Sequence, residues 1–405
     1  MKWNFFMSNF SFDTKKFIQL QVLFTGMNAI LILFINTFLL NSFGSFSKEV
    51  LIYNAIMALA QPLAMITSMK LTEYTNALFT QRIGFVFFGL ALTVLCIFGE
   101  KVSSLYPLFA VLLSFGAGYY YSVYSSQMLF YTDDNNRDRI AGIIGLFGSV
   151  ISISMPLLSG LLISSLGTTV GYKIVFGIAA LFAVFSPFTN KRLSPLPKHS
   201  KGAVLTKVFK TIFSNENGRL IMLANGFSNC RSFTIPIFVT LLFYNLTPDE
   251  LLISVNSTIG YMVTLFGAGV YGYIVKKENR VKFSVIAALV ATIPVLCMIF
   301  GLNVIIIVIF NAVYGFFSTF HATPILNTHF KVMEELELRS EYGAEVHLIR
   351  EFFVSAGRIL GLVLVWAVPQ TNSGAVVVLT LMSIMELINS AILRRINKNR
   401  LIKSN

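Results

Sequence analysis

Twelve times between residues 17 and 393 the chain runs for about 20 residues with almost no charge, the length a helix needs to cross ~30 Å of hydrocarbon. In that solvent every backbone N–H and C=O must be satisfied within the chain, so such runs fold as helices. They cover residues 17–40, 50–69, 82–99, 104–130, 140–165 and 171–189, then 219–244, 251–275, 282–300, 303–330, 351–369 and 374–393. Of the 405 residues 55% are hydrophobic and only 12% charged, about half the charge that a water-facing domain carries. The expected fold is therefore an all-α integral membrane protein with twelve spans. The opening MKWNFFMSNFSFDTKK is too polar and aromatic for a secretory signal, so the first run is expected to be retained.

Charge sets the expected orientation. With both termini cytoplasmic, every Lys and Arg but five falls in an inner segment, the exceptions being Lys48, Lys101, Lys173, Arg231 and Arg358. That asymmetry is the positive-inside pattern. The formal net charge of +13 then reflects topology and contact with anionic inner-leaflet lipids, and calls for no nucleic acid. Cys96, Cys230 and Cys297 all fall within spans without metal-ligand or redox spacing, so they read as small apolar fillers.

The runs divide into two related halves, residues 1–189 and 219–405, about a basic linker at 190–218. Within the linker, Val204, Val208 and Ile212 fall on one side of a short amphipathic helix expected to lie on the inner membrane surface. GYYYSVY at residues 118–124 aligns with GFFSTFH at 315–321, in the fourth span of each half. Gly26 and Gly226 stand at similar depth in each first span, and the pair Arg137 and Arg139 is echoed by Arg350 and Glu351. Two six-span repeats joined by an inner loop is a transporter plan, with the binding site expected between them.

In span count, internal repeat, basic central loop and basic segment before span five, the chain resembles a divergent bacterial branch of the major facilitator superfamily. The superfamily's local motifs are only partly kept. After span two, SMKLTEYTNALFTQRIGF retains Arg82 and Gly84, and after span eight, GAGVYGYIVKKENRVK keeps glycines and bases but no aspartate. The exporter-associated motif of span five survives as Pro156 and Gly160, between Met155 and Ser159. The resemblance implies a monomeric cell-membrane protein moving a small-molecule substrate by alternating access, with a slight lean to efflux. It also implies that the first and fourth spans of each half line a central cavity.

On a helix Tyr120, Tyr124, Gln127 and Tyr131 share one narrow face of span four. Phenols and an amide there could hydrogen-bond a substrate; the competing reading is helix packing, since a buried tyrosine needs only a partner for its hydroxyl. Asn28 of the first span joins this set. In span ten, Asn311, Tyr314, Ser318 and His321 follow one face at spacings of three, four and three. Arg231 lies about 18 Å along span seven from Arg219, near the bilayer centre, with Asn225, Ser228, Asn229 and Ser232 on the same broad side. An arginine there costs about 2.5–3.5 kcal/mol on insertion scales. It reads either as an anchor for a carboxylate or phosphate on the substrate or as a structural tie across the domain interface. Arg358 and Glu386 lie at similar depth in consecutive spans and are expected to form an ion pair, beside a Gly357–Gly361 patch permitting close helix approach.

His321, Glu386 and Glu351 are the candidates for proton coupling, and Arg139 with Glu351 for a cytoplasmic gate latch. In the superfamily it resembles, proton-coupled drug exporters commonly hold an acid in the first or fourth span; no acid of the first half lies inside a span here, so the resemblance disfavours a cationic-drug/proton antiporter. Zinc-ligand spacing, a nucleophile elbow and a phosphate loop are all missing, so neither catalysis, a metal nor a cofactor is expected. The competing functions are uptake of a small anionic or zwitterionic nutrient and, from another class, a membrane receptor or scaffold.

Overall fold

The computed structural model describes residues 10–44, 48–132, 137–196, 204–276, 278–338, 342–368 and 371–404. Among these residues all regular structure is helical. The first half forms α1 (Phe12–Phe43), α2 (Lys48–Tyr74), α3 (Ala77–Phe98), α4 (Tyr106–Phe130), α5 (Arg137–Leu166) and α6 (Thr168–Asn190). A short α7 (Leu205–Ser214) precedes α8 (Glu216–Leu246), α9 (Glu250–Ile274), α10 (Arg280–Cys297), α11 (Val304–Glu335), α12 (Gly343–Ala367) and α13 (Asn372–Ser404). Several helices begin where a short polar side chain can satisfy the first free amides. Asn76 accepts from Phe79 N, Asn215 from Gly218 N, Asn303 from Ile306 N, and Asp249 from both Leu251 N and Leu252 N.

Nine described stretches are long and apolar enough to cross a membrane, and one of them, Ala77–Met128, contains both α3 and α4 around a 3₁₀ turn. α8 and α12 are not among them: asparagines and Arg231 interrupt the first, and Arg350, Glu351 and Arg358 the second. The outward faces are apolar. α6 alone exposes Leu181, Val184, Phe185 and Phe188, and α10 exposes Leu289, Ile293 and Leu296. Water would penalise such contiguous surface, whereas acyl chains match it.

Contacts group the chain into two compact units, one of Met1–Phe38 with Leu63–Lys201 and one of Leu39–Pro62 with Gly202–Asn405. In the first, α3 packs on both α4 and α6 around Phe85, Tyr120 and Phe176. In the second, α8 packs most closely on α12, α9 on α11, and α13 on α8 and α10. The apolar side of α7 is turned into the protein. Val208 and Ile212 are fully buried in one apolar cluster with Ile221 of α8, Val332 of α11, Ile349 of α12 and Ile396 of α13. Lys207 and Lys210 are exposed, so the apolar face covers one end of this unit.

The α8–α12 contact depends on glycine. A Cβ on Gly357 would overlap the Gly226 carbonyl oxygen, and one on Gly361 would overlap Cys230 O and the Thr234 hydroxyl. The patch expected from sequence thus meets α8 backbone to backbone, gaining dispersion contact that larger residues would block. Gly357→Leu is expected to destabilise the purified protein by at least ~1–3 kcal/mol, read as a lowered melting temperature in detergent. Gly89→Ala, with nothing near its Cβ, is expected to leave the melting temperature unchanged or slightly raised.

Candidate functional site

Three helices of the second unit bring together charges that lie far apart in sequence. Arg231 of α8, His321 of α11 and Glu386 of α13 are 4%, 2% and 1% exposed. One carboxylate oxygen of Glu386 lies 2.7 Å from His321 Nδ1 and the other 3.8 Å from Arg231 Nη1. Beside them, the Tyr314 ring centre is 4.8 Å from the Arg231 guanidinium carbon, within cation–π range. Tyr314 and His321 stand seven residues apart, two turns along one side of α11, which is how one helix serves both Arg231 and Glu386. Arg231 Nε, both His321 ring nitrogens and Glu386 Oε1 have no aligned hydrogen-bond partner among the described residues, so the His321–Glu386 approach is a close ionic contact.

Arg358 does not pair with Glu386. Its Nη1 lies 3.0 Å from Glu351 Oε1 and 3.0 Å from Gln61 Oε1, and its guanidinium packs on Phe233 at 5.2 Å. Glu351 and Arg358 are two turns apart on α12, so one helix face carries both. The expected partnership assumed that consecutive spans lie side by side, but α12 and α13 each pack chiefly on α8. Next to this pair, Arg350 Nε donates to Asn225 Oδ1 at 2.8 Å, and the Asn225 amide meets His329 Nδ1 at 3.3 Å. Gln61 and His329 carried no sequence signal: both look like ordinary polar residues in apolar runs.

The span-four stripe is largely internal packing. Tyr120 is buried with its hydroxyl donating to Gln21 Oε1 on α1 and its ring stacked on Phe24, 3.5 Å between centres. Gln127 is fully buried in a reciprocal amide pair with Gln81, at 2.7 and 3.0 Å, and Asn190 Nδ2 donates to the same Gln81 oxygen at 2.6 Å. The Tyr131 hydroxyl donates to Ser194 O at 2.5 Å. Each of these polar ends is taken by a neighbouring helix or by the loop after α6. Tyr124 is half-buried and stacks between Phe17 and Tyr120.

The remaining candidates scatter. Asn311 donates to Asn256 O at 2.8 Å and tightens the α9–α11 contact, Ser318 returns its hydroxyl to Gly315 O at 2.7 Å, and Asn229 donates to Asn225 O at 3.0 Å. Asn28 is half-buried on α1. Glu351 is engaged by Arg358 within its own helix, while the Arg139 side chain lies outside the described residues.

Long apolar helices packed as bundles, with ionisable groups buried among them, define a polytopic membrane protein. The sequence matches the Major Facilitator Superfamily over residues 19–362, and the chain belongs to that family. It is thus a secondary transporter of the multi-pass membrane class and not an enzyme. It is 24% identical over 334 residues to the uncharacterized protein YqgE of Bacillus subtilis (strain 168), covering 81% of this chain and 76% of that one. A protein of Geobacillus stearothermophilus described as uncharacterized in the sodM 3' region is 25% identical over 143 residues, 35% of this chain and 66% of its own. Among solved structures, the crystal structure of the nucleoside transporter NupG superposes with a TM-score of 0.68, covering 96% of this chain and 100% of that one. At 12% identity this likeness speaks for the fold alone.

Buried charges lose more from an absent partner than from an absent pair. Arg358→Met and Glu351→Leu are each expected to destabilise by about 3–5 kcal/mol, and the double variant by less than either single one. Thermal unfolding of the four proteins in one detergent closes the cycle.

Proposed function

We propose that the chain is a twelve-span exporter of a small molecule, monomeric, with both termini cytoplasmic and working by alternating access. Its halves are taken as residues 1–189 and 219–405 about the basic linker 190–218. The observation that carries the reading is the Arg231–Glu386–His321 cluster, set among helices of a family transporter and left with unfilled hydrogen-bonding capacity. A charge kept at that depth without full internal satisfaction suits a group that meets a ligand. Tyr314 borders it directly, and Tyr124, Asn28, Asn229, Asn311 and Ser318 are the further substrate-facing candidates. The lean to export rests on Pro156 and Gly160 in α5. Uptake of a small nutrient is the second reading, favoured by the absence of acids from the first-half spans.

His321 and Glu386 are the proposed proton-linked pair, because a base and a carboxylate stand 2.7 Å apart and titrate as a coupled pair. Transport into inverted membrane vesicles, with and without a proton gradient, tests direction and coupling together. Accumulation in inverted vesicles supports export; accumulation only in right-side-out vesicles replaces it with uptake. Arg231→Ala is expected to cut transport about ten-fold or more while the folded yield stays measurable. Unchanged transport in that variant would remove Arg231 from the site.

A further inference from the structure

Arg231 is poorly supplied for a buried arginine. Its guanidinium offers five N–H donors in a fixed fork and accepts nothing. The charged acceptor facing it is Glu386, through one contact of 3.8 Å, well beyond the ~2.7–2.9 Å of a formed charged hydrogen bond. Its Nε is buried with no partner among the described residues. Arg358, in the same unit, shows the contrast: although its Nε is also unpartnered, its Nη1 serves Gln61 and Glu351 at 3.0 Å each. The Glu386 carboxylate, meanwhile, is already held by His321 at 2.7 Å through its other oxygen.

We propose that Glu386 is an internal substitute for the substrate's own negative charge, and that the transported compound carries a carboxylate or phosphate that takes its place on Arg231. The inference rests on the transporter reading and adds the chemical class of the substrate. An incoming anion supplies the acceptors that the fork lacks, and it can bind two parallel N–H groups where Glu386 reaches one. Glu386 is not stranded by the exchange, because His321 keeps its hold. Tyr314 packs on the guanidinium at 4.8 Å and so covers its face.

The test is the thermal shift of purified protein with monocarboxylates, dicarboxylates and phosphate monoesters, each beside its uncharged amide or alcohol parent. Wild-type protein is expected to be stabilised saturably by at least one anion and not by its parent. Arg231→Gln is expected to abolish that shift, and Arg231→Lys to weaken the affinity about ten-fold or more through loss of the fork. Glu386→Gln is expected to tighten it about ten-fold by removing the internal competitor. The melting curve of each variant without ligand reports whether it folds. The proposal is overturned if no anion stabilises the wild type, if the shifts survive in Arg231→Gln, or if Glu386→Gln weakens binding instead of tightening it. Proteoliposome flux separates the two readings. Saturable flux of a neutral or cationic compound, unaffected by Arg231→Gln, leaves the transporter and removes the anion. Anion binding without flux of any bound compound keeps the anion site and removes the transport reading.

Discussion

A guanidinium held among apolar helices sets the terms for this structure. Taken out of water it must find compensating charge or dipoles, or the helix carrying it will not remain embedded. The second unit answers with two arrangements. At Arg231 the compensation is partial, shared with a histidine and backed by a phenol ring. At Arg358 a carboxylate and an amide both accept from one nitrogen, and a phenyl ring covers the guanidinium. Two arginines of one unit thus differ in how much hydrogen-bonding capacity remains at the Nη atoms.

The first unit is held in a different way. Its described internal ties are amides and hydroxyls: Gln81 with Gln127 and Asn190, Tyr120 with Gln21, Ser68 with Ser122, Tyr172 with Thr37. Neutral pairs cost less to desolvate than ions and also fix which helix faces meet. They join α3 to α4 and α6, α1 to α4 and α6, and α2 to α4. The second unit has neutral ties as well, such as Asn311 to Asn256, but adds the buried ions.

Much of the fold could be read from the length of the apolar runs, because hydrocarbon leaves a long uncharged segment little choice but helix. Arg231 stood out because a lone cation in such a run is costly wherever it sits. What the sequence did not carry was the identity of neighbours. Periodicity put Tyr120 and Gln127 on one face of span four but could not say that Gln21 and Gln81 wait opposite, 99 and 46 residues away. The Arg358–Glu386 pairing failed for the same reason: adjacency along the chain stood in for adjacency in space, while α12 and α13 both turn to α8.

The glycine seam between α8 and α12 has a mechanical meaning. With Gly226 and Gly357 in backbone contact, and Gly361 against Cys230 and Thr234, these helices have no side-chain cushion along which to slide independently. They form a stiff double rod carrying Arg231 on one member and Glu351 with Arg358 on the other. A force applied at the guanidinium of the first is therefore delivered, with little slack, to the charged pair on the second.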